Sequence, residues 1–141
     1  MMPGLIFAII AALAFGLWTV FHQQASSSIN SLFGAILVSF TAVIIGALFL
    51  IPRISTTTLF SDPKGIVFAV LAGACAFALD LFVLKAYGSG LPISIGGPII
   101  IGGSVAVAAV IGFFLGESIT FAKIGGLILV VAGAAILAAQ N

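Results

Sequence analysis

The sequence predicts an all-α integral membrane protein with five transmembrane helices, and three observations carry that prediction. Hydrophobic residues fill 63% of the 141 positions and charged residues 5%, with a mean hydropathy of +1.47, a balance foreign to soluble globular chains. The apolar residues run in continuous stretches of about 20, enough at about 1.5 Å per residue to cross a hydrocarbon core of about 30 Å. The strands of a transmembrane barrel would instead alternate over segments of about ten residues.

Composition also excludes several classes of function. Four Lys plus Arg and three Asp plus Glu are too few for a nucleic-acid footprint or a polybasic lipid-binding patch, so no nucleic-acid partner is expected. The single cysteine, Cys75, lies in an apolar stretch; it can form no internal disulfide, supplies no metal-ligand cluster, and reads as a small core hydrophobe. The first residues lack the basic flank of a signal peptide and their apolar run is long enough to span, so this segment is expected to be retained.

The first span is expected from about 3 to 21, with Phe7, Ala11, Ala14, Phe15 and Trp18 on one side and His22 one turn beyond Trp18. His22, Gln23, Gln24 and Ser26 to Ser28 read as a short polar connection. The second span, about 32–51, stops at Pro52 and Arg53, and a loop follows with Thr56 to Thr58, Asp62, Pro63 and Lys64. The third, about 66–86, breaks at Gly88, Gly90 and Pro92.

The fourth span, 92–115, is an uncharged run of 24 residues, PISIGGPIIIGGSVAVAAVIGFFL. Pro98 inside it deletes the hydrogen bond to the Ser94 carbonyl, and Gly96 and Gly97 thin the same turn, so a bend is expected there. A freed carbonyl in lipid costs several kcal/mol unless protein or a watered cavity receives it, which makes this end a candidate cavity wall. Ser104, Ala108, Gly112 and Gly116 recur every fourth residue as a stripe for close helix packing. Gly116, Glu117 and Ser118 turn the chain, Thr120 is the expected cap, and the fifth span occupies about 121–139.

With five spans, Arg53, Lys64 and Lys123 fall on the side of the N-terminus and only Lys85 on the other, so the positive-inside rule places the N-terminus in the cytoplasm. An odd number of spans also permits a second, inverted copy to complete the two-fold arrangement on which many transporters are built.

One acid, Asp80, lies well inside a span. Its short side chain cannot reach the interface, so it must face protein or water. Gly73, Ala76, Phe77, Leu84 and Tyr87 share its helical face. Two readings stand: a cavity-lining acid that carries a proton or meets a cationic group, or a structural acid paired with Lys85 or with hydroxyls of a neighbouring helix. Trp18 is either path wall or interface anchor, and His22 reads as an interface anchor. Glu117 reads as a solvated or helix-end charge, and Ser39, Thr41 and Ser104 as hydroxyls bonded back to helix carbonyls. No nucleophile, base and orienter can be assembled from these scattered groups, so no enzyme activity, catalytic residue, metal or cofactor is expected.

From Lys85 onward the sequence resembles the repeat unit of the drug/metabolite transporter superfamily, in particular the EamA-type domain. The resemblance rests on KAYG at Lys85 to Gly88, Pro98 in the fourth span, LGESIT at Leu115 to Thr120 and IGGLILVVAG at Ile124 to Gly133; Phe15 to Trp18 and the count of five helices fit as well. It implies a single domain over 1–141 that is one half of a ten-helix fold, working as a homodimer or as a heterodimer with a related half-unit. Similarity to the small multidrug resistance proteins, whose dimers are held by two glycines seven residues apart in the last helix, implies a dimer seam at Gly126 and Gly133; packing against the fourth helix is the alternative. Those proteins carry a coupling glutamate in helix one, and this chain has no acid there.

The resulting expectation is a gradient-driven, alternating-access transporter of a small molecule, an exporter in a plasma membrane or a bacterial or archaeal cytoplasmic membrane, among membrane lipids. Asp80, Trp18, Tyr87, Phe77, Ser94 and Pro98 line the substrate or proton path, with Gly96, Gly97 and Pro98 as hinge. A subunit of a lipid-linked-sugar flippase and a non-transporting assembly subunit are the rival readings.

Overall fold

The computed structural model describes residues 3–56, 58, 59 and 62–139, and Thr57 of the expected loop lies outside them. Five helices, α1 (Pro3–Ser26), α2 (Ser31–Leu50), α3 (Pro63–Gly88), α4 (Ile93–Phe114) and α5 (Phe121–Ala138), are each long and apolar enough to cross a membrane, and a short 3₁₀ turn (Ile51–Arg53) follows α2. No strand occurs among the described residues. Large side chains such as Phe7, Phe49 and Phe68 are about 70% exposed, the surface that lipid would cover.

Three of the five helices start at a side-chain cap. Asn30 accepts hydrogen bonds from the backbone N–H groups of Leu32 and Phe33, at 2.9 and 3.3 Å, and so opens α2. Asp62 does the same for Lys64 at 2.9 Å, with Pro63 in the first turn of α3, where a missing N–H costs nothing. Thr120 accepts from Lys123 at 3.2 Å and opens α5.

Two boundaries differ from the sequence reading by more than two residues. The first helix continues five residues past Phe21 to Ser26, because Gln23 and Gln24 are polar without being helix breakers. His22 is therefore a helical residue and not part of a loop. The third helix begins at Pro63, three residues before Ile66, at the cap that Asp62 supplies.

The helices form two compact units, one of α1 to α3 and one of α4 and α5. In the first, α3 packs against both other helices, while α1 and α2 meet along the shortest seam. At the α2/α3 crossing the core is Ala35, Val83 and the fully buried Leu84. Gly34 allows the close approach: a Cβ there would stand 2.7 Å from Leu84 Cδ1 and 2.8 Å from Ile29 Cδ1.

In the second unit α4 is one uninterrupted helix with Pro98 in its second turn, close enough to the start that only the Ser94 carbonyl is deprived. Its approach to α5 is at Gly102, where a Cβ would lie 3.1 Å from Ala134 Cβ and 3.5 Å from Val130 Cγ1. Ser104 and Ala108, expected in a packing stripe, are exposed; the seam runs one step round the helix. The α4 C-terminus closes on a left-handed Gly116 (φ 91°), with Glu117 N–H bonded to the Gly112 carbonyl at 3.0 Å and Gly116 N–H to the Phe113 carbonyl at 3.1 Å.

Candidate functional site in the three-helix unit

Trp18 and His22 are one turn apart on α1, and Asp80 faces them from α3. The Trp18 indole Nε1–H donates to Asp80 Oδ1 at 3.1 Å, and His22 Nε2 lies 3.0 Å from the same oxygen. His22 and Asp80 are 4% and 6% exposed. His22 Nδ1 sits 3.0 Å from the Trp18 carbonyl, while Nε2 lacks a fully aligned hydrogen-bond partner despite its short distance to the carboxylate. Phe15 stacks on Trp18, with centroids 5.0 Å apart and planes at 17°, and the His22 ring lies 4.0 Å from Trp18 tilted by 39°. Beside them Thr19, also buried, donates its hydroxyl to the Phe15 carbonyl at 2.9 Å.

The cluster lies within the apolar length of the helices. Asp80 is eight residues before the end of α3, about 12 Å by helical rise, and His22 and Trp18 are four and eight residues before the end of α1.

A cavity of about 750 Å³ opens on the other side of Trp18 and His22, with Leu37, Val38, Thr41 and Leu84 among its walls. The Thr41 hydroxyl donates to the Leu37 carbonyl at 2.8 Å, so it is already satisfied. Trp18 and His22 line this cavity, whereas Asp80 is not part of its wall. Tyr87 and Phe77 share the α3 face with Asp80. Tyr87 is buried with its hydroxyl unpartnered, and Phe77 is half-buried.

Lys85 does not approach Asp80: its ammonium lies 5.7 Å from the Phe82 ring centroid. Of the two readings of this acid, pairing with Lys85 is not seen within the chain; the groups beside Asp80 are Trp18 and His22, across helices. His22, read from the sequence as an interface anchor, is instead the buried partner of the acid. Its spacing from Trp18, and the equal depth of Trp18 and Asp80, each eight residues before the end of its helix on spans that run in the same direction, were the signals for it.

The remaining expected residues are in the two-helix unit. Ser94 is exposed, Gly96 and Gly97 are buried and Pro98 is half-buried on α4. On α5, Gly126 and Gly133 are exposed, and a Cβ at either would meet nothing within 4 Å, so neither is used to seat α5 on α4. Glu117 lies 3.7 Å from Lys123, whose ammonium also donates to the Ser118 carbonyl at 2.9 Å, and both side chains are largely solvent-accessible, which makes them a helix-end pair worth little energy. Ser104 donates to the Ile101 carbonyl at 2.8 Å, as expected of a hydroxyl in a span.

A family model described as the EamA-like transporter family matches residues 2–139. No curated protein and no solved structure matches the chain.

Proposed function

The chain belongs to the EamA-like transporter family, and on that premise we propose that it is an exporter of small, largely apolar molecules, driven by an ion gradient and working as a pair of five-helix units. The observation that carries this reading is the cavity of about 750 Å³, a volume suited to a small organic molecule, walled by apolar side chains and the Trp18 and His22 rings. The open glycines Gly126 and Gly133 on α5 favour a dimer seam there, since close backbone approach is what drives helices together in lipid. Gly96, Gly97 and Pro98 supply the flexible turn of α4, and alternating access moves the cavity between the two faces of the membrane. The charge bias of Arg53, Lys64 and Lys123 against Lys85 supports a cytoplasmic N-terminus.

The test is uptake of lipophilic fluorescent compounds into proteoliposomes under an imposed pH gradient. Leu37→Trp fills the cavity and is expected to abolish uptake with the helices intact. Equal transport by this variant and the wild type would remove the cavity from the path.

A further inference from the structure

The hydrogen-bond bookkeeping around His22 requires one proton more than a neutral imidazole and a carboxylate carry. A carbonyl oxygen only accepts, so the 3.0 Å contact of Nδ1 with the Trp18 carbonyl puts a hydrogen on Nδ1. A neutral imidazole then presents a lone pair at Nε2, 3.0 Å from Asp80 Oδ1, which also only accepts when ionised. An unprotonated nitrogen and an ionised oxygen held at that distance in a buried site repel. A proton on this pair turns the repulsion into an ion pair at 3.0 Å, although the ring N–H does not point at Oδ1 closely enough to make a hydrogen bond.

We propose that His22 and Asp80 form a single proton-binding dyad, holding one exchangeable proton between Nε2 and Oδ1, and that this proton clamps α1 against α3. On release the N–H bond breaks heterolytically, its electron pair stays on Nε2, and the proton passes to water. The two acceptors then face each other, and α1 moves off α3, carrying the Trp18 and His22 wall of the cavity with it.

The surroundings leave these two groups alone with that proton. Among the described residues α2 has no titratable side chain, α1 has only His22, and on α3 Lys85 is turned to Phe82 while Cys75 is exposed. The Tyr87 hydroxyl, buried and unpartnered two turns beyond Asp80, is the one further hydrogen-bonding group on that face. Asp80 Oδ1 already receives the indole N–H and Asp80 lies outside the cavity wall, so a cationic substrate meets the His22 ring before it meets the carboxylate. A proton, not the substrate, is the ligand of this acid.

This inference rests on the transport reading for its purpose but not for its test. The chain has one histidine and one tryptophan, so labelled histidine gives one pair of ring-nitrogen resonances and the fluorescence comes from Trp18 alone. In bilayers, with ¹⁵N-histidine and ¹³C-aspartate, Nδ1 is expected to stay protonated throughout, while Nε2, the Asp80 carboxyl and Trp18 fluorescence change together through one shared transition. An unprotonated Nδ1, or separate transitions for the imidazole and the carboxyl, would overturn the dyad without any variant being made. In proteoliposomes His22→Gln is expected to abolish the pH dependence of transport. If transport ignores the proton gradient while the shared transition is seen, the functional reading fails and the proton site stands. If transport follows the gradient and His22→Gln leaves its pH profile unchanged, the dyad fails and the functional reading stands.

Discussion

Trp18 and Asp80, 62 positions apart in the chain, are joined by one hydrogen bond of 3.1 Å that crosses from α1 to α3. In a hydrocarbon setting a carboxylate without such donors is expensive, so the indole N–H is as much a support for the acid as a part of the cavity wall. Trp18→Phe keeps the stacked ring and removes the donor. The expected result is a loss of about 2 kcal/mol in unfolding free energy, the usual worth of a hydrogen bond to a charged group, measured by denaturant titration in micelles.

Asp80→Asn retains an oxygen that can accept from Trp18 while losing the acid. The variant is therefore expected to fold and, with the acid gone, to lose the dependence of transport on pH that the proposed dyad gives the wild type. Transport equal to wild type at every pH would remove Asp80 from coupling.

Leu84 is fully buried at the α2/α3 crossing and also borders the cavity. Leu84→Ala is expected to cost about 2–5 kcal/mol, the range for truncating a buried leucine, and to widen the cavity. Thermal unfolding checks the first effect, and accommodation of bulkier transported compounds checks the second.

Gly116 holds a φ of 91°, a conformation in which a Cβ is strained. Gly116→Ala is expected to destabilise the α4/α5 turn by about 1–2 kcal/mol, read as earlier proteolysis or faster amide exchange at residues 113–120.

Gly126 and Gly133 have open space where a side chain would go. The double variant Gly126→Leu, Gly133→Leu is expected to leave helicity unchanged and to raise the dissociation constant of the proposed dimer about tenfold, or about 1.4 kcal/mol, by light scattering or cross-linking. Unchanged association would move the seam elsewhere.

Much of the architecture was legible because apolar length is the dominant signal in a membrane chain. The five spans, the Thr120 cap and the hydroxyls of Thr41 and Ser104 follow from local rules that need no tertiary information. The end of α1 did not, since Gln23 and Gln24 look like loop by polarity and like helix by propensity, and the second property prevailed. That one boundary hid the role of His22, which is a surface residue if the helix ends at Phe21 and a buried one if it continues to Ser26. Asp80 was recognisable as a group in need of a partner. Which partner it takes depends on the packing of α1 on α3, which no single helix encodes. The α4/α5 seam was missed for a related reason: small residues line several faces of α4, and the face that carries Gly102 is the one that meets Ala134 and Val130.

The turn after α4 closes on itself. Its two reverse hydrogen bonds, its left-handed glycine and the cap on α5 all involve residues between Gly112 and Lys123. A corner so complete needs no help from the rest of the chain, so it can form as soon as it emerges from the ribosome. The last two helices are thereby expected to enter the bilayer together as a hairpin.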